Sequence, residues 1–138
     1  MKIKFWTFIY VLIFITSCNN TRKLDGNFSI CDNSQYLEVY FEKDSVRVAS
    51  ENEAVGLSEW RKIEIINDTL YFESFGEWKM DLKARINYME NNNVKLLIAE
   101  NGKEFAIDLT RIDKKLDFEN KKEFWQEFNK RFTSRECK

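Results

Sequence analysis

The stretch from Trp78 to Tyr88 reads WKMDLKARINY, and it decides the fold. Its apolar positions alternate with charged or polar ones along the whole stretch. A period of two is typical of a β-strand with one face in the core and one face in solvent. Similar alternation occurs before and after this stretch, from Leu37 to Leu109. The sequence therefore predicts a mainly β protein.

Turn sequences separate the predicted strands. Asn101-Gly102 lies between two alternating runs, and Asn-Gly is the strongest short-range signal for a β-hairpin. With Gly26–Cys31 counted as the first, the sequence predicts about eight strands in total, and the longest connection among the later ones is Glu51–Ser58. Short connections place successive strands side by side. We predict an antiparallel up-and-down meander, either a barrel or a strongly curled sheet.

The period changes to that of a helix near the C-terminus. Asn120 can cap the first turn, and Glu123 follows three residues later, as in a capping box. An aromatic face follows, and Arg131 lies away from it. This face consists of Phe124, Trp125, Phe128 and Phe132. Because so short a helix is marginal alone, we predict a helix at about 120–133 that packs against the sheet or closes one end of it.

A meander that opens with Gly26-x-Phe28 and closes with a helix resembles the lipocalin-like barrels. The resemblance is one of architecture and covers nearly all of residues 25–138. Phe28 stands where lipocalins usually carry tryptophan. The resemblance implies a module that binds a small apolar ligand inside the barrel.

The N-terminus has the layout of a secretory signal. It reads MKIKFWTFIYVLIFITSC, and its apolar run is too short to cross a hydrocarbon core of about 30 Å as a helix. The final ITSC resembles the lipobox of bacterial lipoproteins. This implies removal of residues 1–17, acylation of Cys18 and a tether over residues 18–24. The acyl chains would anchor the protein to a membrane, and we expect it in the cell envelope, at the periplasmic face of the outer membrane.

Composition excludes several functions. The 138 residues include 22 basic and 23 acidic residues, no histidine and no proline. No histidine can serve as a base or a zinc ligand, and a formal net charge of −1 gives no reason to expect nucleic acid. Loss of residues 1–17 removes two lysines, which makes the mature chain mildly acidic. We expect neither a cofactor nor a metal.

Two cysteines remain once Cys18 is assigned to lipid. Cys31 and Cys137 can form a disulfide in an oxidising compartment. The alternative is a buried Cys31 and a free Cys137 on a frayed tail.

Four large aromatic residues fall on the face predicted to point inward: Phe41, Phe72, Trp78 and Phe105. They can line a ligand pocket, or they can fill the interior, since a barrel of eight strands is just wide enough to be packed by side chains. We expect a packed or nearly packed interior.

Other candidate sites lie at turns. Ser45 and Thr69 each follow an aspartate in a triplet that resembles an O-glycan attachment site of some bacterial envelope proteins, although such triplets are also ordinary turn chemistry. Glu73 and Glu77 flank a turn, where paired carboxylates can in principle hydrolyse a glycoside. Solvated turn residues are the simpler interpretation of both pairs.

Three functions follow from these patterns. The first is a non-enzymatic, lipid-anchored module that binds a small apolar ligand or a protein partner in the envelope. The alternative is an inhibitor or immunity-type lipoprotein that blocks an enzyme or toxin at the membrane surface, with Glu51–Glu59 and Trp60 as an acidic docking loop. A hydrolase that uses the turn carboxylates is the least favoured.

Overall fold

The computed structural model describes residues 22–53, 55–76, 79–135 and 137. It confirms a mainly β fold with one C-terminal helix, α1 (Lys121–Ser134). The strands are β1 (Gly26–Asp32), β2 (Gln35–Glu42), β3 (Ser45–Ser50), β4 (Arg61–Lys62), β5 (Glu64–Ile66), β6 (Thr69–Glu73), β7 (Asp81–Tyr88), β8 (Val94–Glu100) and β9 (Lys103–Arg111). A single 3-10 turn, Glu90–Asn92, connects β7 to β8.

The nine strands form one antiparallel sheet in the order β4-β3-β2-β1-β9-β8-β7-β6-β5. The first and last strands of the meander pair with each other, with Phe28 opposite Arg111. The two edges, β4 and β5, are separated in sequence only by Ile63, so one interrupted segment pairs with β3 on one side and β6 on the other. The sheet is therefore a nearly closed barrel, and the predicted count of about eight strands treats β4 and β5 as one.

The β8–β9 hairpin follows the predicted turn. Asn101 and Gly102 both have positive φ, at 50° and 75°, which the mirror-image two-residue turns of hairpins require. Glu100 pairs with Lys103 directly across this turn. Local turn chemistry thus sets the register of the two strands.

The interior of the barrel is filled by the inward-facing residues of the strands. Leu24, which the sequence assigns to the tether, is also buried in this core, at 1% exposure. Fully or largely buried members from the strands include Phe28, Val39, Phe41, Val46, Leu70, Ala84, Ile86, Val94, Leu96 and Leu109.

Helix α1 packs on the outer face of the barrel. The Asn120 side chain accepts a hydrogen bond from the Glu123 backbone N–H at 3.2 Å, as expected of an N-cap. Phe124 and Phe128 then pack against Tyr36, Tyr40 and other residues on the outside of β2 and β3. Of the two predicted positions of the helix, the structure therefore shows the one against the sheet. No helix among the described residues is long and apolar enough to cross a membrane.

Candidate functional site

An apolar cavity of about 240 Å³ lies inside one end of the barrel. Its walls come from six strands and from the connections at that end. The lining side chains are almost all aliphatic or aromatic. They include Ile30, Leu37, Val48, Phe72, Ile98, Ile107 and Leu109.

The mouth of the cavity is at the end formed by the β1–β2, β3–β4, β6–β7 and β8–β9 connections. Val55 of the β3–β4 connection and Phe75 of the β6–β7 connection both line it. The N-terminal residues lie at the opposite end, where the Tyr88 hydroxyl donates to the Arg22 carbonyl at 2.9 Å and Arg111 Nη1 donates to the Asp25 carbonyl at 2.8 Å. The mouth therefore faces away from the end at which the chain enters the barrel.

Arg61 bridges the gap between β4 and the β6–β7 connection. Its Nη1 donates to the Ser74 carbonyl at 2.6 Å and to Glu73 Oε1 at 3.3 Å. Its guanidinium also lies over the Phe75 ring, 4.6 Å from the ring centre. β4 does not pair with β6 in the sheet. The side-chain contacts of Arg61 therefore connect β4 to the segment that carries Phe75 at the cavity.

The predicted inward aromatic residues have different outcomes. Phe41 is buried in the barrel core and Phe72 is partly buried, and both line the cavity. Trp78 lies outside the described residues. Phe105 pairs with Ile98 and has the same parity as Ile107 and Leu109, but it is 50% exposed and does not line the cavity. It sits near the β8–β9 turn, beyond the level that the core fills.

The interior is thus packed at the end opposite the mouth, and the cavity lies near the mouth. The end with Leu24, Phe28 and Ile63 is solid with buried side chains. A depression of about 410 Å³ on the outside of that end is bordered by charged groups such as Arg22, Asp25 and Glu90. It lacks the apolar lining of the cavity at the mouth.

A buried charged cluster joins helix α1 to β2. Glu38 is 0% exposed, and its carboxylate accepts hydrogen bonds from Arg131 Nε and Nη2 at 2.7 and 2.9 Å. The hydroxyls of Tyr36 and Tyr40 each donate to the same carboxylate at 2.5 Å. Burial, together with the adjacent Glu38, raises the pKa of both tyrosines well above the ordinary value, so they remain protonated donors.

Sequence reasoning missed this cluster. Alternation correctly placed Glu38 on the outer face of β2, and helical periodicity placed Arg131 away from the aromatic stripe. Neither residue lies at a solvated surface, because α1 covers the outer face of β2 and brings Arg131 over Glu38. The two residues lie 93 positions apart, and neither local pattern carries a signal for their contact.

Glu38 borders the cavity only as part of the strand that forms its wall. Its carboxylate is engaged by the cluster on the other face of the sheet. The cavity itself therefore offers an inserted molecule no charged partner from this residue.

A disulfide joins Cys31 at the end of β1 to Cys137 after the helix, with the Cα atoms 5.1 Å apart. This is the pairing that the sequence predicts. It ties the C-terminal tail to the mouth end of the barrel. Cys18, the predicted lipid attachment site, lies outside the described residues.

The remaining predicted sites lie apart from the cavity. Ser45 and Thr69 are partly exposed at the first positions of β3 and β6, next to the turns at the end opposite the mouth. Glu73 lies 3.3 Å from Arg61 and 3.8 Å from Lys79 in ion pairs, and Glu77 is outside the described residues. In the described part of the chain no cluster of cysteine and carboxylate side chains could hold a metal ion.

The predicted docking loop, Glu51–Glu59 with Trp60, is only partly exposed to solvent. Glu51, Glu53 and Glu59 are exposed. Trp60 is 36% exposed, and the guanidinium of Arg47 lies over its ring, 5.1 Å from the ring centre. The same guanidinium lies 5.0 Å from the centre of the Phe118 ring.

Comparison with protein families, with curated proteins and with solved structures finds no match for this chain.

Proposed function

We propose that this chain is a non-enzymatic, lipid-anchored envelope protein whose lipocalin-like barrel binds a small apolar ligand. The observation that carries the proposal is the apolar cavity of about 240 Å³ at the mouth of the barrel. Cavities lined by Leu, Ile and Phe remain dry, and one of about 150 Å³ binds benzene. A cavity of this size and lining suits a ligand somewhat larger than benzene.

The anchoring part of the proposal rests on the N-terminal sequence. The lipobox that ends at Cys18 supports acylation, and Leu24 already belongs to the barrel core. The acyl chains would therefore lie close to the closed end of the barrel. The mouth would then point away from the membrane, towards the periplasm if the anchor is in the inner leaflet of the outer membrane.

The non-enzymatic part rests on chemistry. The sequence contains no histidine to activate a nucleophile. Glu73, one of the two carboxylates considered for hydrolysis, is neutralised by Arg61 and Lys79. The apolar lining supports binding by exclusion of water rather than group transfer.

A cavity-filling experiment tests ligand binding. The mature chain with Cys18→Ser, which carries no acyl chain, is titrated with 1-octanol by calorimetry. Val48→Phe adds a ring inside the cavity and should weaken binding at least about tenfold, since a full cavity has no space for the probe. Ala106→Phe adds the same ring to an exposed position on the outer face of β9 and should leave binding unchanged. Absence of binding by the parent chain, or equal losses in the two variants, would contradict the proposal.

A second candidate function is recognition of a protein partner at the mouth, as in an inhibitor or immunity-type lipoprotein. Phe105 and Met80 are 50% and 49% exposed at this end, and exposed apolar groups often mark interaction sites. Capture of the acylated protein from its own envelope, with analysis of both bound lipid and bound protein, separates the two functions. A stoichiometric protein partner that Phe105→Ser abolishes would favour this second candidate.

A further inference from the structure

The apolar cavity extends along the strands from its mouth. Leu37, Val39 and Phe41 are alternate residues of β2, and all three line the cavity. The distance from the first to the third of these residues is about 13 Å along a strand. Because the strands of a closed barrel tilt by about 40° from its axis, the cavity reaches about 10 Å into the barrel.

An aromatic pair closes the deep end of the cavity. The ring of Phe41 lines the cavity, and the ring of Phe28 packs edge-on against it with the ring centres 6.0 Å apart. Phe28 does not line the cavity and instead borders the depression at the opposite end of the barrel. Both rings are buried, and Leu24 belongs to the same core. A chain that enters at the mouth therefore meets a closed floor.

Volume and depth together give the width of the cavity. A volume of about 240 Å³ over a depth of about 10 Å corresponds to a cross-section of about 24 Å². Carbon atoms in contact lie about 3.5–4.0 Å apart, so an alkyl chain occupies at least about 15 Å² of cross-section. The cavity therefore has room for one extended chain and not for two side by side.

Volume and depth also give similar lengths for that chain. A cavity of about 150 Å³ binds benzene, so each of its six carbons needs about 25 Å³. At this ratio a volume of about 240 Å³ holds about ten carbons. An extended chain with bonds of about 1.5 Å advances about 1.25 Å per carbon, so a depth of about 10 Å holds about eight carbons.

The cavity offers no partner to the polar end of such a chain. Its lining is apolar, and the carboxylate of Glu38 is bonded to Arg131 on the outer face of the sheet. Burial of an unpaired polar group is unfavourable. The polar end of a ligand must therefore lie at the mouth, while its apolar end reaches the floor.

We infer that the cavity takes a single alkyl chain of about eight to ten carbons, with its methyl end at Phe41 and its polar end at the mouth. The inference rests on the proposed function, because it names the ligand class of the same cavity. In a longer chain the additional carbons stay outside the mouth, where they add no burial. Affinity should therefore rise with chain length only up to the capacity of the cavity.

A series of straight-chain alcohols tests the inference. The 1-alkanols from 1-butanol to 1-dodecanol are bound by the mature chain with Cys18→Ser in calorimetry, with the protein in the syringe because the longer alkanols dissolve sparingly. Each methylene that enters the cavity should strengthen binding about fourfold, as expected for its transfer out of water. The gain should end between 1-octanol and 1-decanol, and this end of the gain is the length limit.

Three variants relate the length limit to the floor of the cavity. Val46 lines the cavity and is paired with Phe41 in the sheet. Val46→Ala removes two methyl carbons from the wall and should raise the length limit by about two carbons. Val46→Ile adds one carbon and should lower it by about one. Val94→Ala is the matched control, because Val94 is as buried as Val46, at 3% exposure, but does not line the cavity; it should leave the length limit unchanged.

The outcomes separate this inference from the proposed function. A constant gain per methylene as far as 1-dodecanol, or a length limit of about six carbons or fewer, overturns the inference and leaves the proposed function standing. A length limit that neither substitution of Val46 moves, or that Val94→Ala moves as far as Val46→Ala, also overturns the inference. Absence of binding by every alkanol overturns both.

Discussion

Replacing Arg131 by methionine removes one partner of a buried ion pair and should destabilise the domain by about 3–5 kcal/mol. The Glu38 side chain is 0% exposed, and two of its four hydrogen bonds come from Arg131. Without the guanidinium the carboxylate stays buried with two tyrosine hydroxyls as donors. A hydrogen bond to a charged group contributes about 1.5–3 kcal/mol. The loss of two such bonds therefore agrees with a destabilisation of about 3–5 kcal/mol.

Glu38→Gln should cost less, about 2 kcal/mol. The Arg131 guanidinium stays largely buried, with its Nη1 already without a partner, but its charge strengthens any hydrogen bond that it donates to the neutral amide oxygen. The glutamine oxygen can also still accept one of the bonds. The double variant should be about as stable as Arg131→Met alone, because the second substitution removes an unpaired charge. The coupling energy between the two residues should then be about 1–3 kcal/mol.

Urea unfolding of the mature chain with Cys18→Ser and an intact disulfide measures these free energies by linear extrapolation. Lys130→Met is the matched control, because its side chain is 72% exposed and pairs with Glu127 at the surface. It should change the free energy of unfolding by less than about 1 kcal/mol. A loss below about 1 kcal/mol for Arg131→Met, or strictly additive effects in the double variant, would refute this account of the cluster.

Two further predictions concern the C-terminal region. The Cys31–Cys137 disulfide spans 106 positions, so Cys137→Ser should lower the free energy of unfolding by about 4–5 kcal/mol on the chain-entropy model; identical urea midpoints for the oxidised and reduced parent chain would contradict this. Hydrogen bonds from Lys114 and Lys130 lower the pKa of Glu127 from 4.5 to about 2, so its stabilising effect is present above about pH 4.5 and is lost as the pH falls towards 2. Glu127→Gln should therefore weaken the acid dependence of the urea midpoint between these pH values, and an unchanged profile would argue against the contact.

The strands show what an alternating pattern can predict about the burial of a side chain and what it cannot. In β7 it correctly places Ala84 and Ile86 inside and Arg85 outside. In β9 it gives Phe105 and Leu109 the same face, yet Phe105 is 50% exposed and Leu109 only 1%. Alternation reports the side of a sheet and not the depth at which the barrel interior ends. Depth depends on the stagger of neighbouring strands, which is a property of the closed sheet.

The sequence pattern did not predict the cavity either. The pattern supplied enough large inward residues to favour a packed interior, and the closed end is indeed solid around Leu24 and Phe28. Near the mouth the wall consists largely of medium-sized side chains such as Val48 and Ile107, which leave a space of about 240 Å³. Whether such residues meet or leave a gap depends on the width of the barrel.

Local patterns thus determined the elements of this protein: the alternation, the Asn101-Gly102 turn and the capped aromatic helix each act through neighbours in the chain. Cysteine count and the predicted compartment also pointed to the pairing of Cys31 with Cys137. Only the tertiary structure decided which face of the barrel the helix covers, and therefore that Glu38 and Arg131 are buried together. It alone decided that a cavity remains at the mouth. Both features arise from contacts between residues far apart in sequence, and these contacts form only when the sheet curls and closes.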